Sequence, residues 1–337
     1  MHKPDTLLEV KDLKVHFPIE RGVVIKRTVG HVRAVDGISF AVKRGEALGL
    51  VGESGCGKST TVMAIARLER ITAGQVLFEG VDLATLKADA LTQARKDFQI
   101  IFQDPYSSLD PRMRAIDIVS QPLKIFVKKG LLSLSGEEIG AKALELLDRC
   151  GLGPSYANRY PHEFSGGQRQ RIGIARSLAL GPKLILADEP VSALDVSIQS
   201  QILNLMKDLQ AEYGLTFLFI AHDLAVVEYF CDRVAVMYLG TIVELASSKE
   251  LYRQPLHPYT KALLSAVPIP NPTVGKSRRR IILKGDVPSP TVVRPGCPFV
   301  DRCPEAMEIC HRRRPRLRAI EEEHQVACFL YEGDGDV

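Results

Sequence analysis

The stretch Ala47-Leu48-Gly49-Leu50-Val51-Gly52-Glu53-Ser54-Gly55-Cys56-Gly57-Lys58-Ser59-Thr60 decides the fold. Its first five residues are continuously apolar, as expected of a short strand covered on both faces. Gly52 to Ser59 then fits the pattern G-x-x-x-x-G-K-[ST], and the following TVMAIARLE (61–69) reads as a helix. Strand, glycine loop and helix in that order form a cradle for phosphate. The glycines let backbone N–H groups turn inward around phosphate oxygens, and the helix N-terminus adds a favourable dipole. Lys58 is placed to reach β- and γ-phosphates and the Ser59 hydroxyl to meet Mg²⁺. Gly52, Ser54, Gly55, Cys56, Gly57 and Thr60 complete the nucleotide-binding set. A chance glycine-rich turn would lack the strand before it and the helix after it.

Outward from this loop, the chain alternates strand and helix signals. FQIIF (98–102), KLILAD (183–188), LTFLFIA (215–221) and RVAVMY (233–238) are short apolar runs like ALGLV. In SIQSQILNLMKDLQAEYG (197–214), Ile198, Ile202, Leu205, Met206 and Leu209 recur at helical spacing and mark one face. Such alternation predicts an α/β fold with a mainly parallel sheet. Upstream, LLEVKDLKVHF (7–17) and VRAVDGISFAV (32–42) read as strands of an antiparallel β subdomain, with ERGVVIKRTVGH (20–31) as a surface hairpin or loop. Residues 104–165 interrupt the strand rhythm and read as a helical subdomain. After about residue 265 the chain turns Pro- and Arg-rich, as in PIPNPTVGKSRRR (268–280), which places a domain boundary there. The expected domains are 6–265 and a loop-rich extension, 266–337.

Composition narrows the function. Hydrophobic residues at 45% and charged residues at 25% suit a chain that buries a core. A net charge of +4 is too small to argue for nucleic acid. No run approaches the roughly 18 apolar residues that a spanning helix needs. The start MHKPDTLLEVKDLK has no apolar segment of a secretory signal. Any membrane link is therefore expected through partner chains. Seven cysteines in a chain that reads as cytosolic point to thiols or metal ligands rather than a disulfide framework.

Two further constellations carry chemistry. Leu184-Ile185-Leu186-Ala187-Asp188-Glu189 is a buried strand ending in two acids. Beside a phosphate loop, Asp188 is placed to hold Mg²⁺ and Glu189 to polarise an attacking water, the metal clamp and water-positioning group that phosphoryl transfer requires. Ser165-Gly166-Gly167-Gln168 opens the helix-like run up to IGIARSLAL. Ser165 is a good N-cap, and this helix start is a second anion site. One nucleotide does not need two such sites, so each of two facing subunits is expected to lend this loop to its partner's γ-phosphate.

In this order the motifs resemble those of ATP-binding-cassette (ABC) nucleotide-binding domains over roughly residues 6–265. They are the P-loop, a Q-loop Gln103, the signature 165–168, Asp188–Glu189 with the loop Ser192-Ala193-Leu194-Asp195, and a switch His222. The resemblance implies ATP hydrolysis with Glu189 and His222 catalytic. It gives Gln103 a role in sensing Mg²⁺ and the membrane subunits, Asp195 a role in coupling two sites, and Phe17 a place against adenine. DPYSSLDPR (104–112), LHPYTKALL (256–264), PSP (288–290) and RPGCPF (294–299) resemble the ATPase subunits of oligopeptide/dipeptide importers. GVVIKRTVGHVRAVDG (22–37) and EPVSALDVSIQSQILNL (189–205) resemble the F-type chain of that system. The family implies a second ATPase subunit (a heterodimer partner or a second copy), two transmembrane permease subunits, an extracytoplasmic binding protein and a seat at the cytoplasmic face of the membrane. It implies no nucleic acid. Nickel or another small solute as cargo, or a soluble ABC-class factor, are the alternative readings.

Cys297, Cys303, Cys310 and Cys328 lie with five, six and seventeen residues between them. A loop-rich segment with little apolar sequence would gain from a metal cross-link. Thiolates suit zinc or an iron–sulfur cluster, and both short spacings exceed the tight pairs of structural zinc sites. The related importer ATPases carry a [4Fe–4S] cluster in this extension, and that resemblance favours a cluster over zinc, and either over free or disulfide-paired cysteines. The centre is expected to be structural, since nothing in the sequence places it near the nucleotide.

Overall fold

The computed structural model describes residues 5–22, 27–104, 106–267 and 281–332. The presumed boundary tract 268–280 lies outside the described residues. Strands β1 (Thr6–Arg21), β2 (Arg27–Lys43) and β3 (Ala47–Val51) lead into helix α1 (Lys58–Ile65). Next come β4 (Ala73–Phe78), β5 (Val81–Asp82), α2 (Ala88–Ala94) and β6 (Phe98–Ile101). Helices α3 (Ala115–Lys128), α4 (Gly136–Arg149) and α5 (Gly166–Leu178) precede β7 (Leu184–Asp188), α6 (Val196–Tyr213) and β8 (Thr216–Ile220). They are followed by α7 (Leu224–Phe230), β9 (Arg233–Tyr238), β10 (Thr241–Ser247), α8 (Ser248–Arg253) and α9 (Pro258–Ser265). The extension adds α10 (Glu308–Arg312), β11 (Arg318–Glu321) and β12 (His324–Val326).

The chain divides into two compact units. One holds Val42–Glu46 and Thr85–Ile220 with the start of the chain. Its sheet is parallel: β6 pairs with β7 from Phe98↔Leu184, and β7 with β8 from Leu184↔Thr216. Every residue of β7 and β8 is buried, which is why both read as unbroken apolar runs rather than alternating ones. Helices α3 and α4 lie within the stretch 104–165 that reads as helical, and they pack on each other and on α5. The α4 start carries a capping box, Ser135 with Glu138, and Gly214 in the left-handed region ends α6. The buried face of α6 is Ile202, Leu203, Met206 and Leu209. Leu203 thus takes the place expected of Leu205.

The other unit holds Leu8–Ala41, Ala47–Ala84 and the chain from Ala221 onward. It contains the antiparallel sheet β2-β1-β4-β5, with Leu8 opposite Phe78. Across residues 20–31, read as a surface hairpin or loop, β1 continues to Arg21 and its neighbour β2 begins at Arg27, so both strands run further than their apolar patterns suggest. The same unit holds a second ladder. There β3 and β9 are parallel, while β9–β10, β10–β12 and β12–β11 are antiparallel. The extension therefore continues the sheet edge at β10 instead of standing apart.

A buried acid secures that junction. Glu244 on β10 is fully buried. Its carboxyl oxygens accept the backbone N–H groups of Leu256 at 2.7 Å and His257 at 2.9 Å. Oε1 also meets His324 Nε2 of β12 at 2.7 Å. His257 caps α9, its Nδ1 accepting from Tyr259 N at 3.1 Å, and burial pushes its pKa down to about 4, which keeps the ring neutral and able to accept. Glu244→Ala would orphan buried donors at three points, two at the start of α9 and one in the extension, each costing about 1–3 kcal/mol. We expect its denaturant unfolding midpoint to fall by a shift equivalent to at least ~3 kcal/mol; a midpoint equal to that of the parent chain would refute the anchoring role.

Candidate functional site

The phosphate loop begins where β3, buried throughout, delivers the chain to Gly52. Two positions there admit only glycine. Gly52 has φ +154°, and a Cβ would lie 2.1 Å from the Met237 carbonyl. Gly57 has φ +107°, and a Cβ would lie 2.1 Å from the Ala34 carbonyl. The loop is thus clamped between β9 and β2 by backbone contact, which fixes its curl. Gly240 N donates to Cys56 O at 2.9 Å. Lys58 is buried, 5% exposed, and its ammonium donates to the carbonyls of Gly52 at 2.8 Å and Glu53 at 3.2 Å. Helix α1 opens at Lys58 with no side-chain cap and no acid in its first turn, so its first N–H groups point toward an anion. Ser54 and Gly55 are exposed at the loop tip, while Ser59 and Thr60 are part-exposed.

In the other unit, Asp188 ends β7 and is 3% exposed. Glu189 follows with φ +47°, a left-handed conformation that costs an L-residue energy and is typical of functional turns. Its backbone is held by Glu189 N donating to Ile220 O at 3.0 Å and by Ser192 Oγ donating to Glu189 O at 3.1 Å. Gln103, just past β6, donates from Nε2 to Glu189 Oε2 at 2.9 Å. The residues expected to sense the metal and to activate water are therefore directly joined, although 86 residues apart.

Ser165 caps α5 reciprocally: Gln168 N donates to Ser165 Oγ at 3.3 Å and Ser165 N to Gln168 Oε1 at 3.0 Å. Gly167 packs so closely that a Cβ would lie 2.4 Å from Ile198 Cγ2, and one at Gly166 would lie 3.3 Å from Leu194 Cδ2. The signature loop thus rests against the 192–195 segment. Asp195 is the N-cap of α6 without a capping bond from its side chain, and it is exposed. His222 is exposed, one residue before Asp223, whose side chain accepts from Ala225 N at 2.8 Å and caps α7. Phe17 lies on β1 and is part-exposed. The P-loop, Phe17 and His222 fall in one unit; Gln103, Ser165–Gln168, Asp188, Glu189 and Asp195 fall in the other.

None of the four cysteines of the extension is paired in a disulfide. Cys297, Cys303, Cys310 and Cys328 line one cavity, with Phe299, Met307 and Phe329 among its walls. Each sulfur takes a backbone N–H: Cys297 from Phe299, Cys303 from Glu305, Cys328 from Leu330 and Cys310 from Met307, the last at 3.5 Å. Gly296 lets the strands of this knot approach, since a Cβ there would lie 2.2 Å from the Cys310 carbonyl. Burial pushes the Cys297 thiol up to about 11 and the Cys328 thiol up to about 12. Left alone they stay protonated at neutral pH. Among the described residues, no group of three or more His, Cys, Asp or Glu side chains is arranged to hold a metal ion.

The extension reaches the phosphate loop through a side chain that the sequence did not single out. Arg302, one residue before Cys303, forms a two-pronged ion pair with Glu53 at 2.7 and 3.1 Å. Tyr259 OH accepts from Glu53 N at 2.9 Å. Neither partner was legible in the motif, which leaves position 53 unconstrained, and 249 residues separate Glu53 from Arg302.

The chain matches the family model described as ABC transporter over residues 35–192 and that described as oligopeptide/dipeptide transporter, C-terminal region, over residues 243–310. It is 53% identical to the oligopeptide transport ATP-binding protein AppF of Bacillus subtilis over 328 residues, covering 97% of this chain and 98% of that protein. To the oligopeptide transport ATP-binding protein OppF of Salmonella typhimurium it is 51% identical, covering 96% of each. Among solved structures, the dimeric post-hydrolysis state of the ATP-binding cassette MJ0796 bound to ADP and Pi is similar with a TM-score of 0.62 and 32% identity, over 72% of this chain and 98% of that one. The structure of cbiO1 from Clostridium perfringens is similar with a TM-score of 0.63 and 27% identity, over 74% and 92%. With its phosphate loop, acid-ended strand and signature helix, the chain belongs to the ATP-binding subunits of ABC transporters, in the group that carries the oligopeptide/dipeptide transporter C-terminal region, and is an ABC-type ATPase.

Proposed function

We propose that this ATPase powers import of oligopeptides or dipeptides through two membrane permease subunits, as one half of a head-to-tail ATPase pair. The observation that carries the pairing is the exposed, pre-capped α5 start, a second anion site in a different unit from the P-loop. A partner chain's γ-phosphate is its natural occupant. The names of AppF and OppF support the peptide cargo; nickel or a soluble factor role finds no such support. Among the described residues no helix is long and apolar enough to cross a membrane. Attachment at the cytoplasmic face through the permease subunits suits that, with an extracytoplasmic binding protein delivering the solute. Residues 6–265 form the ATPase domain in this reading and 266–337 the extension.

The division of labour follows from the side chains. Lys58 and the N–H groups of Gly52 to Thr60 hold the phosphates, and Phe17 stacks on adenine. Ser59, Asp188 and Gln103 hold Mg²⁺, which when bound neutralises developing phosphate charge. Glu189 orients and polarises the attacking water; its strained backbone and the Gln103 amide fix the direction of its carboxylate. His222 meets the γ-phosphate, and Asp195, whose side chain makes no capping bond, reaches toward the partner. Replacing Glu189 by Gln keeps shape and removes the charge. We expect ATP binding to survive and turnover of the assembled complex to fall at least about 10²-fold. Turnover near the parent rate would overturn the role of Glu189, and failure to copurify with the two permease subunits would overturn the importer reading.

We further propose a [4Fe–4S] cluster on Cys297, Cys303, Cys310 and Cys328. The shared cavity and the four N–H···S contacts support it, and the five- and six-residue spacings, longer than the tight pairs of structural zinc sites, favour it over zinc. Anaerobically purified protein should be brown, with about four irons and matching sulfide per chain. Stoichiometric zinc without sulfide, or metal-free protein, would refute the cluster.

A further inference from the structure

Glu53, inside the P-loop, is held by two residues far from it in sequence. Its carboxylate takes two hydrogen bonds from the Arg302 guanidinium, its N–H is held by Tyr259, and its carbonyl accepts from Lys58. The loop entrance at Glu53 is thus tied both to the phosphate-binding lysine and to chain beyond residue 258. The anchors themselves are enclosed. Tyr259 is fully buried and the Arg302 side chain is 8% exposed. Tyr238, Tyr259 and Phe299 pack edge-on or tilted with centroids 4.7 to 5.4 Å apart, and the guanidinium lies 5.9 Å from the Tyr238 ring centroid. A forked cation fixes a carboxylate in two directions at once, which a single point charge does not.

We infer that Arg302 and Tyr259 are positioning residues for ATP. They hold Glu53, and through its carbonyl the Lys58 ammonium, in the geometry that receives phosphate, so the extension sets the nucleotide affinity of the cassette. The end point of the ion pair excludes a looser tie. A salt bridge that served only to attach the extension could end on any surface acid, whereas this one ends inside the phosphate loop. The attachment itself is already supplied by Glu244 and the β10–β12 pairing. The inference rests on the P-loop being the ATP site and is independent of what the four thiols bind.

The test uses the full chain and Mg²⁺ with a fluorescent ATP analogue, the dissociation constant being read beside the thermal midpoint. Arg302→Ala should raise Kd about 10-fold, the scale of one lost charge-assisted contact, with a thermal midpoint close to that of the parent. Arg302→Lys, which keeps the charge but not the fork, should fall between the two. Glu53→Gln should weaken binding similarly, and the double variant Glu53→Gln/Arg302→Ala should be no worse than either single one. In the assembled complex the loss should appear in KM for ATP, with kcat changed little. Folded Arg302→Ala that binds within twofold of the parent would overturn the inference, as would additive effects in the double variant. If Arg302→Ala does not fold, Glu53→Gln decides alone: parent-like affinity overturns the inference, weakened affinity with a raised KM supports it.

Discussion

A buried ammonium dictates the shape of this molecule's centre. Lys58 is almost wholly enclosed, and its hydrogen bonds run to the carbonyls of Gly52 and Glu53. Burying a cation is costly unless oxygens surround it. The loop must therefore curl until its carbonyls face the lysine, and the same curl turns its N–H groups toward a phosphate. That curl is possible only with glycine at 52 and 57, where Met237 and Ala34 carbonyls press against the backbone. Strand β3 sits between these constraints, which accounts for its burial along its whole length. One electrostatic requirement thus extends to the packing of β2, β3 and β9.

A comparable economy operates at the acid-ended strand. Asp188 closes β7 while still buried, and the chain then twists through a left-handed Glu189. The strain is supported by backbone bonds on either side of it. The reward is a carboxylate whose direction is set by geometry and by Gln103, instead of by a mobile side chain. The signature loop follows the same logic: its capping box satisfies the α5 start internally, and Gly167 gives up its side chain so that Ile198 can pack against the helix start.

The local parts of this arrangement were legible in the sequence because their chemistry is local. A lysine that must follow a glycine turn, a strand that must end in acids and a serine that must cap a helix leave marks a few residues long. Buried parallel strands were legible for the same reason, since both faces demand apolar residues. What escaped were pairings over long separations. Short strands such as β11 and β12, three or four residues each, acquire their role only from β10. The stretch 20–31 reads as a hairpin or a loop alike, and only the pairing of β1 with β2 shows how far each strand runs. Arg302 belongs to no motif, and nothing local marks it as the partner of Glu53, because folding brings together residues 249 positions apart.

The account as a whole depends on the loop around Lys58 being a phosphate receptor whose charge does the binding. Calorimetric titration of Mg²⁺-ATP into the full chain, comparing the parent with Lys58→Met, tests this most directly, because methionine fills similar space without the ammonium. The account predicts saturable binding in the parent and a loss of at least about 100-fold in affinity in the variant, the scale of a buried charged contact, with the fold retained. Equal affinity in a folded Lys58→Met chain would contradict it.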